Sequence, residues 1–186
     1  MLLTTIDVGT NSVKLLVARV RPPRIRTLLE KVVVTRLGEG VARTGVIGRG
    51  PAERTFLQLA FFRELLQAYP VERALLAGTR VFRAAGNGRE LLRQWNRSLD
   101  IRTRLLSGRE EARLAHLGAC PGARPATAVD IGGGSTEISL GRGGILSRAR
   151  SVDIGAVTLT EEELKGDPPT EKEVEQIGRA SCRERV

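Results

Sequence analysis

The sequence predicts an α/β fold, and three observations predict it. Strand-length apolar runs alternate with helix-length amphipathic stretches along the chain. Glycine, proline and asparagine punctuate the joints between them. Two segments, "TIDVGTNSVKLLV" (5–17) and "AVDIGGGSTEISL" (128–140), also repeat one pattern: an apolar strand carrying an acid, a glycine turn, a hydroxyl and a second apolar strand. Asp7 aligns with Asp130, Gly9 with Gly132 and Ser12 with Ser135. Repetition of this kind means a duplicated structural unit, so two lobes are expected.

Element by element, "LTTIDV" reads as a strand, and "SVKLLVARV" follows a Gly-Thr-Asn turn as a second. Pro22-Pro23 ends it, and "IRTLLEKVVVTRL" returns as a third, before a glycine-rich loop at 38–50. Pro51 suits the first turn of a helix running to about Tyr69, with Leu57, Phe61, Leu65 and Ala68 on one face. "RALLAG" is a short buried strand, "NGRELLRQWNRSL" a helix in which Trp95 packs, and "IRTRLL" another strand. "SGREEARLAHLGA" is a helix with its own start signal, and "PGARP" a hinge. "ATAVDI", "STEISLGR" and "GILSRARSVDI" are three more strands, followed by two acidic helical stretches. The first lobe therefore covers 1–122 and the second begins over 126–177. The stretch 178–186, "GRASCRERV", has little apolar periodicity and reads as a separate tail.

Composition excludes several classes. With 186 residues, 41% of them hydrophobic, the chain buries one good core or two small ones. No apolar run nears the roughly 20 residues of a membrane span, and "MLLTTID" carries no secretory pattern. Cys120 and Cys182 have neither metal spacing nor a disulfide framework, which places the chain in a reducing cytoplasm. The net charge of +9 divides into +13 over residues 1–150 and −4 over 151–186. That asymmetry fits a polyanion partner, or simply an arginine-biased surface. Aromatics are only 3%, and Phe56, Phe61, Phe62 and Tyr69 fall at helical spacing as core residues, which disfavours nucleic acid as the partner.

The two turns have the residue types of an anion site. Glycines let backbone N–H groups approach an anion closely, and Asn11, Ser12, Ser135 and Thr136 add side-chain donors. Asp7 and Asp130, at strand ends, can hold a hydrated divalent cation or orient water beside a phosphate. A lone turn of this kind is as easily a glycine turn with an Asp bonding its own backbone; the pair argues for function. In "SGREEA", Ser107 and Glu110 have capping-box spacing, which leaves Glu111, about 100° further round the helix, for chemistry or for solvent. The lone His116 lies between Leu114 and Leu117 without a metal-ligand partner and reads as structural.

The blocks "IDVGTNSVKLLVARV", "GTRVFRAAGNG", "LLSGREEARLAHLG", "AVDIGGGSTEISL" and "DIGAVTLTEEELKGDPPT", in this order, resemble the exopolyphosphatase/guanosine pentaphosphate phosphohydrolase (Ppx/GppA) family of the actin-like ATPase superfamily. Thr10 stands where the commoner form of the family has Ser. The resemblance implies a ribonuclease-H-like fold with a complete first lobe and a partial second lobe around an active-site cleft, because family members continue well beyond 186 residues. It implies hydrolysis of terminal phosphate from polyphosphate or guanosine pentaphosphate with Mg2+, through Glu111 as general base and Arg83 as phosphoryl clamp, with Thr79 and Asn87 shaping the segment around it. It also implies phosphate binding by Asn11, Ser12, Gly132, Gly133, Gly134 and Ser135, and a metal near Asp130, Glu137 and Asp7. A homodimer is compatible with it. The alternative is a phosphate- or nucleotide-binding chain that does not turn over.

Overall fold

The computed structural model describes residues 1–183. Contacts group the chain into two compact units, Met1–Leu106 and Ser107–Val186.

In the first unit, β1 (Leu2–Val8), β2 (Ser12–Arg21) and β3 (Arg24–Val34) form an antiparallel meander. After α1 (Val41–Thr44) and α2 (Arg49–Leu66), β4 (Arg73–Gly78) returns parallel to β1. Helices α3 (Arg80–Ala84) and α4 (Gly88–Leu99) precede β5 (Thr103–Leu105), giving the order β3-β2-β1-β4-β5. Alternation in β1 and β2 points Ile6, Val8, Val13, Leu15 and Val17 to one face, where each is fully buried. Leu59, Phe62, Phe82 and Trp95 cover that face, Trp95 meeting Phe82 edge-on with ring centroids 5.7 Å apart.

Helix α2 corrects one expectation. Its buried stripe is Thr55, Leu59 and Phe62, whereas Leu57 and Phe61 are 68% and 54% exposed. Both stripes have helical spacing, and Thr55 hides the true one because its hydroxyl is satisfied locally, by donating to Pro51 O at 2.8 Å. Phe61 is therefore not a core residue.

In the second unit, α5 (Gly108–Ala119) packs on an antiparallel sheet of β6 (Pro125–Ile131), β7 (Thr136–Arg142) and β8 (Ile145–Val152), ordered β6-β7-β8. Helices α6 (Ala156–Glu163) and α7 (Glu171–Arg183) follow. Helix α5 is locked down by His116, which is fully buried with Nδ1 3.1 Å from Ser139 Oγ, while its Nε2 lies only 2.8 Å from where a Cβ on Gly141 would stand. The contact grouping divides the chain after Leu106, while the sequence places the joint at 122–126. The 120–124 segment is tied into the second unit, where Arg142 Nε donates to Ala123 O at 2.7 Å. Helix α7 runs through residues 178–183 of the expected separate tail; 184–186 lie outside the described residues.

Candidate functional site

Each unit presents the same turn. In the first, Gly9 N–H donates to Ser12 O at 2.9 Å; in the second, Gly132 N–H donates to Ser135 O at 2.8 Å. The sequence alignment of the two segments is thus also a structural one. Each turn joins the first two strands of its meander, and each has its carbonyls held by neighbouring backbone. Asn11 O accepts from Thr35 N–H and Arg36 N–H, and Thr10 O accepts from Gly38 N–H. Gly132 O accepts from Ala156 N–H, and Gly133 O from Val157 and Thr158 N–H.

Pinning the carbonyls fixes the peptide planes of the two turns. Among the described residues, the amides of Thr10 and Asn11 and those of Gly133, Gly134 and Ser135 make no hydrogen bond, nor do the side chains of Asn11, Ser12 and Ser135. Successive N–H groups of this kind form an anion-binding concavity. Ser135 is 6% exposed, so an anion there would be largely shielded from water, which strengthens each bond.

In the second unit, the turn is held from below by Gly155, the residue before α6. A Cβ on Gly155 would lie 2.4 Å from Gly133 C and Gly134 N, so backbone runs directly against backbone. The sequence places this glycine in the block "DIGAVTL" without assigning it a task. Thr136 adds a further tie, its hydroxyl donating to Ile154 O at 2.7 Å.

The acids differ between the repeats. Asp7 faces Lys14 across the first hairpin, Nζ lying 3.9 Å from Oδ2. At the matching positions of the second hairpin, Asp130 faces Glu137. Two carboxylates directly opposite on one face of a sheet repel one another. Asp130 is exposed and Glu137 is 5% exposed, its Oε1 accepting from Ser151 Oγ at 2.7 Å. This pair suits a divalent cation, and Mg2+ in particular is commonly bound by one or two carboxylates together with water and substrate phosphates. The Asp7–Lys14 pair carries its own counter-charge and suits a cation less. Among the described residues no group of three or more His, Cys, Asp or Glu side chains has the arrangement of a metal cage.

Arg83 and its segment sit at the same sheet end as the first turn. Strands β1 and β4 are parallel neighbours with Val8 opposite Gly78, so the Gly9–Ser12 turn and α3 leave the sheet side by side. Thr79 fixes the exit, its hydroxyl donating to Val8 O at 3.0 Å. Half-buried Arg83 donates from Nη1 to Leu106 O at 2.6 Å, which anchors one arm of a guanidinium that has five N–H donors. Asn87 bonds Ile47 in both directions, Oδ1 accepting from its N–H and Nδ2 donating to its O, each at 2.9 Å. Thr79 and Asn87 thus shape the segment by backbone contacts.

Glu110 and Glu111 have distinct surroundings. Ser107 N–H and Oγ both donate to Glu110 Oε2 at 2.9 Å, and Glu110 N–H donates back to Ser107 Oγ at 3.3 Å, a complete capping box. Glu111 is partly buried in the same first turn, with its N–H donating to Ser107 O at 2.9 Å. The predicted site residues fall into two groups: Asp7, Asn11, Ser12 and Arg83 in the first unit, and Glu111, Asp130, Gly132, Gly133, Gly134, Ser135 and Glu137 in the second.

Comparison with known proteins matches residues 16–185 to the family described as Ppx/GppA phosphatases. Exopolyphosphatase 2 of Mycobacterium tuberculosis (strain H37Rv) is 36% identical over 197 residues, covering 97% of this chain and 60% of that protein. The crystal structure of an exopolyphosphatase-like protein superposes with a TM-score of 0.88 at 31% identity, over 95% of this chain and 57% of the other. That of the Aquifex aeolicus Ppx/GppA family member superposes with a TM-score of 0.77 at 33% identity, over 95% and 58%. The chain spans 60% of the length of the curated relative it matches.

Proposed function

Because this chain belongs to the Ppx/GppA phosphatase family, whose match covers residues 16–185, we propose that it hydrolyses phosphoanhydrides, releasing terminal phosphate from inorganic polyphosphate or guanosine pentaphosphate. The observation that carries the reading is the duplicated turn, in which pinned carbonyls leave the amides of Thr10 and Asn11, and of Gly133, Gly134 and Ser135, as donors.

Each residue has a task that its chemistry suits. The glycine-turn amides, with Asn11, Ser12 and Ser135, hold non-bridging phosphate oxygens. Arg83 offers phosphoryl oxygens a planar fork of N–H donors that an ammonium does not have. Glu111 accepts the proton of the attacking water as it adds in line to the terminal phosphorus, while the shortened chain leaves as a phosphate anion. Glu110 is committed to the helix cap and positions the turn that carries Glu111. Asp130 and Glu137 would hold Mg2+, which when bound supplies positive charge beside the phosphate oxygens. None of the helices in the described residues is long and apolar enough to cross a membrane.

Phosphate release from polyphosphate and from guanosine pentaphosphate, with and without Mg2+, tests the proposal in the parent and in Glu111→Gln. The expected result is release that Glu111→Gln reduces at least about 100-fold, the ordinary scale of general-base loss, with polyphosphate binding retained. Equal release by the two proteins removes Glu111 from its role. Binding by the parent without release under any divalent metal favours the alternative, a phosphate-binding chain without turnover.

A further inference from the structure

The β2–β3 hairpin ends in an arginine cluster at the opposite end of β2 from the Gly9–Ser12 turn. Register places Arg19 opposite Arg26 and Arg21 opposite Arg24, with Val20 opposite Ile25 between them. Directly opposed residues share a face, so four guanidinium groups stand on one side of a two-stranded ribbon, and all four residues are exposed. Strand β1 begins at Leu2, opposite Arg19, so the ribbon beyond Val20 runs past its neighbour. The segment from Arg19 to Arg26 reads R-V-R-P-P-R-I-R and contains no acid.

The cluster differs from the ion-paired arginines of the surface. Arg49, Arg54, Arg93, Arg97 and Arg179 each have a glutamate partner within 4.0 Å. Among the described residues, Arg19, Arg21, Arg24 and Arg26 have no carboxylate partner and no side-chain hydrogen bond. Opposed like charges destabilise a hairpin, so this arrangement carries a cost that an anion laid along the ribbon would remove.

We propose that this hairpin is a docking surface for an inorganic polyphosphate chain, separate from the Gly9–Ser12 turn at the other end of β2. The substrate class rests on the function proposed above; the docking itself needs no turnover. Arginine in opposed rows offers paired N–H donors to successive phosphates. The segment has no aromatic to stack a base, so a partner made only of phosphate fits best. Ser12 and Arg21 are nine residues apart along one strand, about 30 Å at the rise of a β-strand. Only a long chain could engage the hairpin while its end is held elsewhere. A second contact of this kind raises the effective concentration of a long substrate without altering that of a short one.

The test measures binding of end-labelled long-chain polyphosphate, with tripolyphosphate as the short probe, across a salt series. The hairpin variant carries Arg19→Gln, Arg21→Gln, Arg24→Gln and Arg26→Gln. A charge-matched control carries Arg49→Gln, Arg93→Gln, Arg97→Gln and Arg179→Gln. The hairpin variant is expected to bind long polyphosphate at least about 10-fold more weakly at low salt, with the salt slope reduced by about 3 if all contacts are lost. The control should change by less than about 3-fold, and tripolyphosphate binding should not change in either. The hairpin variant should melt no lower than the parent, because it removes opposed like charges. Equal weakening in the two variants, or none in the hairpin variant, overturns the proposal. Tighter binding of duplex DNA than of polyphosphate, lost in the hairpin variant, reassigns the surface to nucleic acid and overturns it too. If the parent releases no phosphate while the hairpin variant alone loses long-chain binding, the hydrolase reading fails and the docking surface stands.

Discussion

Replacing Gly155 by alanine should disassemble the second phosphate turn without replacing any predicted ligand. The new Cβ would stand 2.4 Å from Gly133 C and Gly134 N and 2.5 Å from Gly133 O, all backbone atoms that cannot rotate away. Either the turn or the start of α6 must move, and three hydrogen bonds run between them: Ala156 N–H to Gly132 O at 2.9 Å, Val157 N–H to Gly133 O at 2.8 Å and Thr158 N–H to Gly133 O at 3.2 Å. At a net value near 1 kcal/mol each, their loss is worth about 3 kcal/mol. Hydrogen exchange of these same amides reads the effect, because 1.4 kcal/mol is about tenfold, and protection should fall by about 100-fold. Polyphosphate affinity should fall as well, since the carbonyls that orient the Gly133 and Gly134 amides are released. Gly118→Ala is the internal comparison: its Cβ meets nothing within 4 Å on α5, so it should stabilise the helix by up to about 1 kcal/mol. If Gly155→Ala exchanges and binds like the parent, the backbone contact is not what holds the turn.

Other consequences follow from individual contacts. Gly141→Ala would put a Cβ 2.6 Å from Ile145 O and 2.8 Å from His116 Nε2, and should lower the stability of the second unit by about 2 kcal/mol in urea melts. Ser107→Ala removes the hydroxyl half of the α5 capping box and should cost about 1 kcal/mol, with the loss read from α5 amide exchange. Glu173 caps α7 in the same way. The N–H groups of Thr170 first, then Lys165, hold its carboxyl down at about 2, against an ordinary 4.5. A depressed carboxylate contributes stability above its unfolded value and loses it as pH falls through the folded one, so the start of α7 should loosen between pH 4.5 and about 2. A carboxyl carbon titration with its midpoint near 4.5 would contradict the cap.

What the sequence made legible was local. The hairpin repeat, the turn positions and the Ser107–Glu110 box depend on residues within a few places of each other, and each has its expected geometry. Two helices escaped notice because four residues, Val41–Thr44, and five, Arg80–Ala84, are too short to show a period. The buried face of α2 depended on which of two stripes met the sheet, a tertiary decision that Thr55 conceals. The roles of Asn87, Ser151 and Gly155 lie in partners 40, 14 and about 20 residues away, on other elements. The opposition of Asp130 to Glu137 was open to reading from register, because the turn bond between Gly132 and Ser135 fixes every pair beyond it. The Thr170-x-x-Glu173 spacing was equally open as a capping box.

Amide chemical shifts during titration with inorganic polyphosphate test the central claim most directly. Saturable shifts at Thr10, Asn11, Gly133, Gly134 and Ser135, together rather than singly, are the predicted result. Binding that leaves these amides unmoved would contradict the reading of the twin turns as phosphate cradles.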